Sequence, residues 1–149
     1  MSEVLFYHLE SLPLERVLPT LLEKTLEREW RAIVRAGNEE RLNALDQHLW
    51  IYRDDSFLPH ATGKEGNSER QPVFLTLSSE NPNGATVLFL VDGAELSASD
   101  SYDRIVYLFD GRDEEAVNQA RIDWKRAKQG GSTVTYWRQE ASGRWTKHA

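Results

Sequence analysis

The chain has 149 residues, 40% of them hydrophobic, with 18 basic against 24 acidic side chains, a net charge of −6 and no cysteine. That length accommodates one domain with a substantial core, and five Trp, five Tyr and five Phe argue against a disordered chain. The charge balance repels phosphate backbones and so disfavours direct nucleic-acid binding, while the lack of thiols excludes a disulfide framework, a thiolate metal site and a cysteine nucleophile.

In chain order, VLFYHL (residues 4–9) predicts a first strand, rich in branched and aromatic residues. Leu14, Val17, Leu18, Leu21, Leu22 and Leu26 then recur at helical spacing, with Pro19 placing either the start of that helix or a kink in it. RAIVRA (31–36) predicts a second strand. Gly37-Asn38 ends it and opens a second helix, with Asn38 as N-cap and Glu39-Glu40 in the favourable first turn, running to about Trp50. The polar stretch 60–71 predicts an exposed loop. VFLTL (73–77), TVLFLV (86–91) and RIVYLF (104–109) predict three strands, the last two apolar enough to be covered on both faces. A third helix runs from Asp113 to about Lys128 and stops at Gly130-Gly131. TVTYWRQ and RWTKH then form either a closing hairpin or an irregular tail. The order, without repeats or linkers, implies one α/β domain over residues 1–149. The longest apolar run, VLFLV at 87–91, is far short of the roughly 20 residues that span a bilayer. With Glu3 standing where a secretion signal carries basic residues, the expected location is the cytoplasm.

Few motifs carry chemistry. The turn after the first strand, HLESLPLE, has no glycine, so a pyrophosphate could not approach its backbone. GKEGNS (63–68) lacks the preceding strand and the spacing of a phosphate loop. His8, His48, His60 and His148 share no metal-ligand spacing, and Asp54-Asp55 and Asp100-Asp103 read as turn chemistry. No catalytic residue, cofactor or metal is expected. The third helix is more informative. At 100° per residue, Val117, Ala120, Trp124 and Ala127 share the face that meets the sheet, and Arg121, Lys125 and Lys128 form a stripe beside it. One reading is that these charges complement the helix dipole and Trp124 is core. The other is an aromatic floor beside a cationic fork, suited to a peptide offering a ring and a carboxylate.

FYHLES near the start, RLNALDQHLWIYRDDSFLPHATGKEG, the apolar strand pairs and ARIDWKRAK together resemble the chi subunit of bacterial DNA polymerase III holoenzyme. The Leu-Asp-x-x-Leu-Trp motif followed by Ser-Phe-x-Pro-His is the specific part, and the resemblance weakens after about residue 130. It implies a single three-layer α/β/α domain with a mostly parallel central sheet, of nucleotide-binding-like topology without a phosphate loop. It also implies a non-catalytic adaptor in the clamp-loader assembly of a DNA polymerase. One face would bind the acidic C-terminal tail of single-stranded-DNA-binding protein, which ends in phenylalanine with a free carboxylate. Another would dock the psi subunit or a helicase-like repair protein. DNA would be met only indirectly and membrane not at all. By motif match, Arg121 and Trp124 correspond to the tail-binding arginine and aromatic residue; Lys125 and Lys128 join them by helical geometry. Trp50, Phe57 and Pro59, with His60 closing the motif, match the partner-subunit interface. Trp124 stands where a tyrosine also occurs in the family, and Trp137 and Trp145 belong to no assigned motif. A small α/β nucleotide-binding enzyme and a self-associating structural domain are the competing readings.

Overall fold

The computed structural model of the protein describes residues 3–10, 12–51, 60–62, 71–96, 102–142 and 144–148. The elements follow in the order β1 (Glu3–Leu9), α1 (Leu14–Glu27), β2 (Ala32–Arg35), α2 (Glu39–Ile51), β3 (His60–Thr62), β4 (Val73–Thr76), β5 (Val87–Leu90), β6 (Arg104–Asp110), α3 (Glu114–Gln129), β7 (Thr133–Gln139) and β8 (Trp145–Lys147). All these strands join one sheet in the order β3-β4-β2-β5-β6-β1-β7-β8. Its pairs are parallel except β7 with β8. The α/β class and mostly parallel sheet expected from the sequence are what the chain adopts.

The strand pattern follows from what covers each strand. Every residue of β2, β4 and β5 is buried, as their continuous apolar runs require of strands packed on both faces. β7, near one edge, is half-buried along most of its length. Two expectations change here. Residues 60–62, read as loop, form the edge strand β3, paired His60↔Val73 to Thr62↔Leu75. The HAT tripeptide has no strand pattern of its own, so the neighbouring β4 decides its conformation. At the other edge, of the two alternatives for the C-terminal segment, the chain takes the hairpin, with Trp137↔Lys147 and Gln139↔Trp145.

The connections set the layers. The chain moves from β1 through α1 to β2 and through α2 to β3, towards one edge; from β6 it passes through α3 over β1 to β7, towards the other. Crossovers of one hand put helices on opposite faces when the direction reverses. Accordingly Leu14, Val17, Leu18 and Leu22 of α1 and Leu42, Leu45 and Leu49 of α2 pack with Val34, Leu75, Phe89, Val106 and Leu108 on one side. Ala120, Val117, Trp124 and Ala127 of α3 pack with Phe6, Ile33, Leu88, Tyr107 and Phe109 on the other.

Pro19 lies inside α1 rather than at its start. Lacking an N–H, it leaves the Glu15 carbonyl four residues back without its helical donor. His48 Nε2 of α2 sits 2.6 Å from that oxygen, so the gap in one helix becomes a tie to the next. Asn38 caps α2 as predicted, its Oδ1 accepting from Arg41 N at 2.9 Å. Gly37 is required by close approach: a Cβ there would lie 2.0 Å from the backbone oxygen of Asp92. Asp113 caps α3 by accepting from Glu115 N and Ala116 N, and Gly131, at φ 86°, closes its C-terminus with Ser132 N donating to Ala127 O.

Candidate functional site

Where the chain direction reverses, between β1 and β6, a crevice of about 670 Å³ opens beyond the C-terminal ends of the strands. Doubly wound folds bind nucleotides at this point. Here its wall carries Glu15, Asp92, Asp110, Asp113 and Glu115 against Arg41 and Arg112, so its field opposes a polyphosphate. Arg41 is itself held between Glu15 at 2.6 Å and Asp92 at 3.1 Å. Among the described residues no group of His, Asp and Glu is placed to hold a metal ion.

The α3 surface is different in kind. Ala120 faces the core, and buried Asp123 accepts from the Tyr107 hydroxyl at 2.7 Å and from Gln119 Nε2 at 3.3 Å, fixing the roll of the helix. That roll leaves Trp124 half-buried at the margin. Its indole meets Phe6 edge-on at 5.6 Å between centroids and Tyr136 at 5.8 Å and 80°. Lys128 Nζ lies 5.3 Å from the Trp124 ring centroid, in cation–π contact. Arg121 and Lys125 project into solvent, and among the described residues neither makes an ion pair. Ile122, beside them, is 52% exposed.

Strand β7 adds a second wall that the helix pattern could not reveal. Its register against β1 pairs Phe6↔Tyr136 and His8↔Arg138, so Tyr136 and Arg138 project from the same sheet face as Phe6 and His8. The rings of His8, Phe109 and Tyr136 cluster at 5.1 to 6.1 Å between centroids, His8 meeting the other two in T-shaped contacts. His8 Nδ1 and the Tyr136 hydroxyl share a hydrogen bond of 2.5 Å. His8 Nε2 faces Glu10 Oε1 at 3.2 Å, and Arg138 donates to that same oxygen from Nε at 2.9 Å and Nη2 at 2.6 Å. Burial raises the Tyr136 phenol pKa, opposed by the nearby positive charges of Arg138 and Arg121. The Tyr-x-Arg spacing did place the two side chains on one face of a strand; only the strand order put that face beside Trp124.

Burial likewise lowers the His8 pKa from 6.5; Glu10 opposes the shift, and Arg138 and Arg121 add to it. The native ring therefore takes a proton less readily than the unfolded chain, which binds more protons once the pH falls below about 6.5. His8's contribution is complete above that value and is lost as the pH falls towards the folded pKa. Stability measured by urea unfolding is expected to drop more steeply from pH 7 to 5.5 in the parent chain than in His8→Gln. Equal slopes would remove His8 from the account.

The second predicted patch divides. Trp50 lies in the last turn of α2 with its side chain outside the description, and Phe57 and Pro59 fall outside the described residues. His60, read as part of that surface, is instead buried: its side chain is 0% exposed and its Nε2 lies 3.2 Å from both the carbonyl and the carboxylate of Asp46. It ties β3 to α2 and is not available to a partner. Trp137 and Trp145, unassigned in the sequence, flank Tyr7 on the opposite sheet face, at 6.4 and 4.9 Å.

Fold and site together define a doubly wound α/β domain with a carboxylate-lined switch point and an aromatic, cationic surface on its third helix. Residues 1–135 match the sequence profile of the family described as DNA polymerase III chi subunit, HolC. The chain belongs to that family of replication accessory subunits. It is also similar to the probable DNA polymerase III subunit chi of Rickettsia prowazekii (strain Madrid E), 23% identical over 97 residues, 65% of this chain and 59% of that protein. The likeness thus spans about three fifths of the relative's length, and Tyr136 and Arg138 lie just past the family match. No helix among the described residues is long and apolar enough to cross a membrane.

Proposed function

We propose that this chain is a non-catalytic adaptor of the DNA polymerase III clamp-loader assembly, and that its α3 surface captures the acidic C-terminal tail of single-stranded-DNA-binding protein. Trp124 packs the terminal phenylalanine, Arg121 receives the free carboxylate, and Lys125 and Lys128 face the acidic residues before it. The observation that carries this reading is the half-buried Trp124 ring with Lys128 5.3 Å above it and Arg121 and Lys125 projecting beside it, on a chain whose net charge is −6. Exposed cations concentrated beside one ring suit a ligand with a ring and an anion at its end.

A second surface, built on residues 50–59, docks a psi subunit or a helicase-like repair protein, with Trp50, Phe57 and Pro59 as anchors. The chain meets DNA only through its partners, and acts in the cytoplasm. Ordering a flexible tail makes each contact weak, while many tails on one coated strand raise avidity.

The test is a titration with a short acidic peptide ending in Pro-Phe, its C-terminus free or amidated. Binding with a Kd on the order of micromolar, about −8 kcal/mol, is expected for the free form and is weakened at least several-fold by amidation. If both forms bind alike, or neither binds, the carboxylate fork is excluded.

A further inference from the structure

The Glu10–Arg138 pair stands where the tail site, as proposed above, would continue. Arg138 shares a sheet face with Tyr136 and His8 through the β1–β7 register. Tyr136 in turn meets Trp124 of α3 at 5.8 Å between ring centroids, so the aromatic floor runs from the α3 face to the strand that carries Arg138. Arg121 is open to solvent. Arg138 is already engaged: its Nε and Nη2 converge on a single carboxylate oxygen of Glu10.

That pair is built to exchange. Its side chains are 50% and 33% exposed, and solvated ion pairs of this kind contribute little to stability. The Glu10 backbone is held independently, its N–H and that of Leu12 donating to Oε1 of the buried Gln139 at 3.3 and 2.8 Å. The carboxylate can therefore swing away without moving β1. A carboxylate arriving from outside would meet the same Arg138 donors and would restore a negative neighbour to His8.

We propose that Glu10 is an internal carboxylate occupying a second anion seat of the peptide site, displaced when an acidic residue upstream of the terminal phenylalanine binds Arg138. The inference rests on the tail-binding reading and adds a selectivity to it. A peptide with only a terminal carboxylate engages Arg121 and leaves Glu10 in place. A peptide with acidic residues as well engages both guanidinium groups, and Glu10 sets the threshold for that second contact.

The experiment compares two peptides ending in Pro-Phe, one with aspartates upstream and one with asparagines, against the parent chain, Glu10→Gln and Arg138→Ala. Glu10→Gln is expected to tighten the aspartate peptide about 2- to 5-fold, the range set by losing one exposed ion pair, and to leave the asparagine peptide unchanged. Arg138→Ala weakens the aspartate peptide by a similar factor and brings it towards the asparagine peptide. The ratio between free and amidated termini stays the same in both variants. A merely structural role for the pair could not produce tighter binding in Glu10→Gln. If the parent chain discriminates against amidation but neither variant alters the aspartate peptide, the exchange is refuted and the tail site stands. If the parent chain binds neither terminus, both fall.

Discussion

Replacing Phe6 with alanine is expected to destabilise the chain by about 3–5 kcal/mol, the usual range for truncating a fully buried aromatic ring. Phe6 is 0% exposed, lies on β1 beneath α3, and sits 4.7 Å from Tyr107 and 5.6 Å from Trp124 between ring centroids. Its loss would open a cavity beneath Trp124 and leave Tyr136 of β7, 5.8 Å away between ring centroids, as a remaining ring contact from the sheet. For a domain whose total stability is on the order of 5–15 kcal/mol, that is a large fraction. Urea unfolding measures it directly. The control is Ile122→Ala, a residue 52% exposed on the same helix layer, expected within about 0.5 kcal/mol of the parent. A Phe6→Ala change below about 1 kcal/mol would mean that this ring is not the floor of the α3 face.

The second large effect concerns binding and leaves the fold alone. Arg121→Ala is expected to weaken the free-carboxylate Pro-Phe peptide about 10- to 100-fold, since a hydrogen bond to a charged group contributes about 1.5–3 kcal/mol. Arg121 is exposed and, among the described residues, makes no ion pair, so the melting temperature should stay within about 2 °C. Arg121→Lys should fall between the two, because a lysine keeps the charge and loses the planar fork. Raising the ionic strength to 1 M shortens the screening length to about 3 Å and should erode the difference between parent and Arg121→Ala. Unchanged affinity in Arg121→Ala would move the carboxylate seat elsewhere; an unfolded Arg121→Ala would make the arginine structural.

Much of the architecture was legible because it is written in local terms. The buried strands β4, β5 and β6 are runs of apolar residues, α3 is announced by Asp113 and closed by Gly130-Gly131, and its core face follows from a period of 3.6. Pro19 was harder. A proline six residues into a helix reads as its start or a kink, and the carbonyl it leaves open is met by His48, distant in sequence. His60 is a related case: the Ser-Phe-x-Pro-His motif groups it with the partner surface, and only the pairing of β3 with β4 and the position of Asp46 turn its ring inward.

By itself, the sequence determined that this is an acidic α/β chain without a phosphate loop, that Arg121, Lys125 and Lys128 run in a stripe beside Trp124, and that it resembles the chi subunits, to whose family it belongs. Those properties depend on residues a few positions apart, where helical and strand periods fix which side chains are neighbours. The tertiary structure alone decided what faces that stripe. Placing β7 next to β1 brings Tyr136 and Arg138 across from α3 and sets Glu10 against Arg138, 128 positions away in the chain. Strand order is chosen by the packing of whole layers, and no local pattern in TVTYWRQ carries it.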